Sequence, residues 1–386
     1  MKVRYLDYYK KNKLIPTLNL GDINEKLLKK QRFNFYFKLG LLPNEFIDKS
    51  ILELCPGTGY NAYYLLKFCK IKNITLVEKN LRSLKVLEKN LKKYKNKKIF
   101  KKNIYDFKTK KKYDIVIIEN TLPGLDSPQK ILLNIFKYTK PGGSLVFTMS
   151  NIQGLFSEKL RYLYSVCLIQ QNNILGYEKR LKFLTKLFKK HLRYLSPNTR
   201  KVRNWVEDNI LHIEWIRSKK YFDLLDVLKY LKFQCYVRSV APNFSKDFIW
   251  YKNMDITNHI ENIKKNYLGE QINFVDFQTQ FSKNEKNFDL IHQFNKELKK
   301  FSLEISRINF DKKITIKQIN KLYLLIFKIS KILNNLQVNN KITLALNDFL
   351  EFLSKFKKKE KKAIIRGNHF HKFWGIGTFA ISLYKK

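Results

Sequence analysis

The chain has 386 residues, with 77 Lys and Arg against 32 Asp and Glu, for a formal charge of +45. That length supports a large core in one elaborated domain or two, so the fold needs no covalent staple. The four cysteines (Cys55, Cys69, Cys167, Cys235) lie far apart with no CxxC pair, which argues against a zinc knuckle or a disulfide framework and fits a reducing compartment; no metal site is expected.

The opening Met1-Lys-Val-Arg-Tyr-Leu-Asp-Tyr-Tyr lacks an apolar signal core, and no stretch approaches the roughly 18 apolar residues of a membrane span. A soluble, cytoplasmic protein is expected, with any membrane contact peripheral. The basic excess has a simple reading, since Lys, Asn, Ile, Phe, Leu and Tyr are all encoded by A- and T-rich codons. Codon bias is not the whole account, because Glu and Asp lean the same way yet are scarce. The charge admits nucleic acid or another anionic partner without requiring one.

Residues 1–48 read as an N-terminal helical cap ending in the turn Leu39-Gly40-Leu41-Leu42-Pro43. A core at 49–150 follows, with strands expected at Ser50–Cys55, Ile74–Glu78, Lys98–Lys102, Tyr113–Glu119 and Ser144–Met149. Between them run helical stripes: Ala62, Leu65, Leu66 and Cys69; then Leu81, Leu84, Leu87 and Leu91; then Ile131, Leu132, Ile135 and Phe136. Alternation of strand and helix predicts an α/β fold with a mostly parallel sheet covered on both faces. Lys140-Pro-Gly-Gly143 is expected to stop the third helix and release the chain into the fifth strand.

Residues 151–230 are too long for a single crossover and read as a helical insertion, including the basic amphipathic stretch Glu178–Leu195. There Lys179, Arg180, Lys182, Lys186, Lys189, Lys190 and Arg193 accompany Leu181, Leu184, Leu187 and Leu195, a composition suited to a phosphate-bearing acceptor or simply to a solvated face. Residues 231–251 return to the sheet with a strand at Phe233–Val240. Residues 252–370 read as a helical extension whose 284–358 part carries apolar residues at spacings of three and four, so two or three mutually packed helices, or a homodimer surface, are expected. Its Lys355–Lys362 run reads as an exposed helix end. Residues 371–386 hold a last strand at Gly375–Tyr384, with Phe248–Tyr251 as the alternative.

The most informative segment is Ile51-Leu-Glu-Leu-Cys-Pro-Gly-Thr-Gly-Tyr-Asn-Ala62, a buried strand entering a glycine turn and then a helix. Gly57 and Gly59 allow positive φ and close ligand approach, and the helix N-terminus offers free amides. Glu78, 25 positions after Glu53, stands where α/β nucleotide sites place a carboxylate on ribose hydroxyls.

Five ordered elements, Glu53–Gly59, Glu78, Asn103–Asp106, Tyr113–Asn120 and Lys140–Gly143, resemble the class I S-adenosylmethionine-dependent methyltransferases. The resemblance covers residues 30–150 well and the rest loosely. It implies a Rossmann-like sheet whose last strand is antiparallel, an in-line methyl transfer, and S-adenosyl-L-methionine as cofactor. It also implies roles: Glu53, Cys55, Gly57, Thr58 and Gly59 at the methionine end, Glu78 bidentate on the ribose, and Asn103, Ile104 and Asp106 around adenine. Arg32 and Tyr36 become candidates for the cofactor carboxylate, against a reading as surface charge and packing aromatic. Cys55 replaces the family's usual first glycine and is expected to be a small core residue, not a nucleophile.

Glu119, also a candidate cofactor-binding residue, and Asn120, just after the fourth strand, and His212 in the insertion are candidates to position or deprotonate an acceptor. Glu119 merely pairing with a basic residue is the competing reading. The phrases LGLLPNEFIDKSILELCPGTGYNA, RKVRNWVEDNILH, APNFSKDFIWYKN and FWGIGTFAISLYKK resemble a bacterial branch linked to surface-polysaccharide biosynthesis, implying a sugar hydroxyl on a nucleotide- or lipid-linked glycan. Two alternatives remain: an RNA or protein methyltransferase, which lacks an NPPY-like or paired-cysteine element here, and a non-catalytic binding protein that kept the fold.

Overall fold

The computed structural model describes residues 4–15, 24–195, 201–212, 222–231, 234–243, 259–278, 287–336, 340–360 and 363–386. The chain divides into two compact units. One comprises Met1–Ser150, Phe222–Tyr267 and Thr378–Lys386, the other Asn151–Tyr221 and Leu268–Gly377.

In the first unit the described strands are β1 (Ser50–Leu54), β2 (Asn73–Val77), β3 (Lys97–Phe100), β4 (Tyr113–Ile118), β5 (Thr139–Ser150), β6 (Cys235–Ala241) and β7 (Thr378–Lys385). They form one sheet in the order β3-β2-β1-β4-β5-β7-β6. β1 to β5 pair in parallel, while β7 runs antiparallel to both β5 and β6. This is the expected Rossmann-like arrangement, with its final strand reversed. Central strands β1 and β4 read SILEL and YDIVII and are almost wholly buried, as strands covered on both faces must be. The helices Tyr60–Phe68 and Leu81–Asn90 turn Ala62, Leu65, Leu84 and Leu87 into a core with Ile51, Ile74, Leu76, Ile115 and Ile117.

The last strand is the C-terminal segment; the alternative at Phe248–Tyr251 lies outside the described residues. β3 begins one residue earlier and ends two earlier than expected. The Lys140–Gly143 run is a correction. It does not precede β5 but lies inside it, because Thr139 already pairs with Tyr113 and the register then shifts before Ile115 meets Ser144. Gly142, at φ +70°, accommodates the extra residues as a bulge. At this end of the sheet the Asp114 carboxylate accepts from Ser50 N (2.8 Å), Ser50 Oγ (2.6 Å) and Lys140 Nζ (2.8 Å). Burial opposes its charge, yet those hydrogen bonds hold its pKa at about 2.

Ahead of β1, the helix Glu25–Lys38 is capped by the Asn24 side chain, which accepts from Lys26 N at 2.8 Å. Its buried face carries Leu28, Arg32 and Tyr36, so the surface reading of Arg32 does not hold.

Gly59 caps the helix Tyr60–Phe68 with φ +78°, and a Cβ there would stand 2.2 Å from Leu87 Cδ1. Left-handed strain and overpacking then act together. Gly59→Ala is expected to destabilise by about 2–4 kcal/mol, read as a lowered urea midpoint with unchanged m-value. A midpoint within error of the parent would contradict that account of the turn.

The second unit is helical among its described residues. Helix Phe156–Gln171 is buried on nearly every side, from Phe156 to Ile169, as befits a central helix. The apolar stripes expected from the sequence lie on Phe288–Ile305, Ile316–Asn335 and Asn340–Lys357, and Phe294, Leu298, Leu322, Ile326, Leu346 and Phe349 share one core cluster. Thr315 and Gln318 form a capping box that starts the second of these. In the basic helix Tyr177–Leu192, Leu181, Leu184 and Phe188 face that core, and Lys179, Lys182, Lys186, Lys189 and Lys190 are exposed.

Candidate functional site

The strand order reverses between β1 and β4: β2 and β3 lie to one side and β5 to the other. In an open α/β sheet this switch point leaves a crevice at the carboxyl ends of the two strands. Glu53, the turn 55–59, Glu78, Asn103 and Glu119 all follow or end strands at that edge.

The turn is built from left-handed residues. Cys55, Gly57 and Gly59 have φ of 56°, 59° and 78°. Cys55 therefore carries a side chain where glycine is the easier residue, and its backbone N–H is anchored on Val77 O at 2.8 Å. Burial, with Glu78 nearby, pushes the Cys55 thiol pKa up, so it stays protonated and is no nucleophile at neutral pH. Thr58 is fully buried, and its carbonyl accepts from Asn90 Nδ2 at 2.9 Å.

Glu78 closes the turn from the side. Its Oε1 accepts from the backbone N–H groups of Lys79 and Asn80, both at 2.8 Å, and its Oε2 from Gly57 N at 2.9 Å. Burial raises its pKa while these three amides pull it back. A carboxylate offers about four acceptor sites, so roughly one remains for a ligand hydroxyl unless an amide gives way.

Glu53 is buried at 4% exposure in β1. Its Oε1 accepts from Asn61 Nδ2 at 3.0 Å, and Asn61 Oδ1 accepts from Tyr36 Oη at 2.8 Å. Its Oε2 has no partner. Burial, then the neighbouring Glu119 charge, pushes the Glu53 carboxyl up to about 8.

Arg32 is held at the same edge by Glu119. Arg32 Nη1 donates to Glu119 Oε2 at 3.0 Å and to Tyr60 Oη at 3.1 Å, and Nη2 donates to Glu119 Oε1. The guanidinium lies over the rings of Phe35 (4.4 Å), Tyr36 (4.9 Å) and Tyr60 (5.4 Å). Burial opposes its charge most strongly, but Glu119, Tyr60 and Tyr36 together outweigh burial and raise the Arg32 pKa. Glu119 is therefore paired in this structure instead of standing free as a base. Asn120, at φ +51°, is exposed, and its backbone N–H donates to Thr148 Oγ1.

The expected adenine-side residues diverge. Ile104 is buried and Asn103 half-buried, with Asn103 Oδ1 accepting from Tyr105 N at 3.2 Å. Asp106 is exposed, and its N–H donates to Asn103 O at 3.0 Å. His212 belongs to the other unit, where its Nδ1 lies 3.8 Å from Asp208 Oδ1 and burial lowers its pKa. Sequence reading missed Asn61 and Tyr60. The available signal was a polar side chain on the buried face of an otherwise apolar helix turn.

Among the described residues no group of three or more His, Cys, Asp or Glu is placed to hold a metal ion, and no helix is long and apolar enough to cross a membrane.

Residues 46–196 match the family model of a methyltransferase domain. No curated protein sequence matches the chain significantly. Solved structures similar to part of it include the N-methyltransferase NodS from Bradyrhizobium japonicum with S-adenosyl-L-homocysteine, at 19% identity over 33% of this chain and 62% of that one, TM-score 0.28. Others are a putative S-adenosylmethionine-dependent methyltransferase from Listeria monocytogenes, at 18% over 34% and 58%, TM-score 0.29, and phosphoethanolamine N-methyltransferase 1 from Haemonchus contortus, at 14% over 38% and 31%, TM-score 0.32. The chain thus spans less than two thirds of each, and likeness at this level says nothing of the acceptor. The first unit's sheet has the Rossmann-like strand order, and residues 46–196, less than half of the chain, carry the match to a methyltransferase domain.

Proposed function

We propose that the protein is an S-adenosylmethionine-dependent methyltransferase, and that its acceptor is an oxygen on a sugar or related small molecule. The observation that carries the methyl-donor reading is Glu53: a buried carboxyl with one idle oxygen, beside a turn of left-handed residues, fits a ligand bearing a cationic amine. The glycan acceptor rests on the local phrasing of the sequence alone.

When bound, the cofactor supplies an electrophilic methyl group on a sulfonium. Glu53 would take the ammonium, the 57–59 backbone would let the ligand approach closely, and Glu78 would accept a ribose hydroxyl on its remaining lone pair. Asn103 and Ile104 would flank the base. Asn120 would help orient an acceptor at the end of β4, where positioning supplies much of the acceleration in a displacement reaction. His212 remains a candidate proton acceptor.

Incubation with methyl-labelled cofactor and fractionated cell extract tests the acceptor class. Label is expected in the glycan and nucleotide-sugar fraction. Label in RNA that fades steeply as salt rises would favour the nucleic-acid alternative, since counterion release weakens such binding. No label anywhere, with tight S-adenosylhomocysteine binding, would favour a binding protein.

A further inference from the structure

Glu119 has a single hydrogen-bonding partner for its carboxylate among the described residues, Arg32, whereas Arg32 is also secured by Tyr60 and by three aromatic rings. The receptor is thus fixed and the acid is the exchangeable half. The same network continues through Tyr36 and Asn61 to Glu53, which has an idle oxygen. An Arg that grips a carboxylate and a Glu with one idle oxygen make a matched pair for a zwitterion, one charge for each end of an amino acid.

We infer that Glu119 stands in for a ligand carboxylate on Arg32, and that loading the amino-acid end of the cofactor exchanges the two and frees Glu119 at the carboxyl edge of β4. The inference rests on the methyl-donor reading above. Replacing one carboxylate by another keeps the buried guanidinium paired throughout, so the exchange avoids the cost of an orphaned buried charge. Glu119 then acts in two successive roles, which reconciles the expectation of an acceptor-positioning acid with the pairing seen here.

The test compares S-adenosylhomocysteine with its decarboxylated analogue, which keeps the amine, by calorimetry and by ligand-induced shift of the melting temperature. Glu119→Gln weakens the hold on Arg32 while retaining shape. It is expected to lower the ligand-free melting temperature, to tighten S-adenosylhomocysteine about 5- to 10-fold, and to leave the decarboxylated analogue within about twofold. Arg32→Gln is expected to weaken S-adenosylhomocysteine at least 10-fold and the analogue little. Equal losses for both ligands in Arg32→Gln, or no tightening in Glu119→Gln despite a lowered ligand-free melting temperature, would reduce the pair to a structural tether and overturn the inference. If the parent protein binds neither ligand, the methyl-donor reading fails first and this inference with it.

Discussion

Replacing Glu78 by alanine is expected to weaken S-adenosylhomocysteine binding about 100-fold or more. The carboxylate holds two things at once. It receives the Gly57, Lys79 and Asn80 amides and so fixes the glycine turn against the end of β2, and on the reading proposed above its remaining lone pair would take a ribose hydroxyl. A hydrogen bond to a charged group contributes about 1.5–3 kcal/mol, and the turn's loss of its anchor adds to that. Three backbone amides would also lose their acceptor, so the variant's melting temperature should fall. Glu78→Gln separates the effects, because it keeps an acceptor oxygen for the turn but loses the charge. Calorimetry showing undiminished affinity in both variants would remove Glu78 from the site.

Glu53→Gln should change how stability and binding depend on pH. In the ligand-free protein burial keeps the Glu53 carboxyl protonated up to about pH 8, while an unfolded chain releases that proton near its ordinary value of 4.5. Between those values the unfolded state holds fewer protons than the native one. Stability from this group is therefore full below about 4.5 and declines as pH rises towards 8, with a ceiling of about 5 kcal/mol. Glutamine cannot ionise, so the variant's melting temperature relative to the parent should climb from pH 5 to pH 8. Binding runs the other way. An ammonium ligand requires the carboxylate, so the parent should bind S-adenosylhomocysteine about 10-fold more tightly at pH 8 than at pH 6.5, with proton release visible as a buffer-dependent binding enthalpy. A flat pH profile in the parent, or the same slope in Glu53→Gln, would exclude Glu53 as the ammonium receptor. The site's affinity and the first unit's stability are thus opposed at one residue, a common arrangement where a binding group is buried without its partner.

Much of the first unit was legible because its signals are local. Strands such as Ile51–Leu54 and Tyr113–Ile118 are apolar but for Glu53 and Asp114, and the helices between them carry apolar residues at helical spacing. The glycine turn and the acid after the second strand announced a ligand edge for the same reason, since backbone demands at a turn act on adjacent residues. The bulge inside β5 was not legible. Lys-Pro-Gly-Gly ordinarily ends an element, and only pairing with Tyr113 shows that the strand has already begun. In the second unit the apolar stripes were readable, but the buried Arg161 was not. Its guanidinium donates to the carbonyl groups of Ser157, Phe370 and Phe373 and stacks on Trp374 at 3.5 Å, and all of these but Ser157 lie more than 200 positions away.

From residue order alone came the class of sheet and the two carboxylates, Glu53 and Glu78, that stand at the carboxyl edge of its strands, because periodicity and turn chemistry are properties of neighbouring residues. Folding in three dimensions decided which charges meet. Arg32 and Glu119 stand 87 positions apart and nothing in their surroundings along the chain marks them as a pair. Their contact, and with it the protonation of Glu53 and the availability of Glu119, depends on helix Glu25–Lys38 laying its buried face against the switch point of the sheet. Electrostatic pairing acts through space and dielectric, and both exist only once the core has closed.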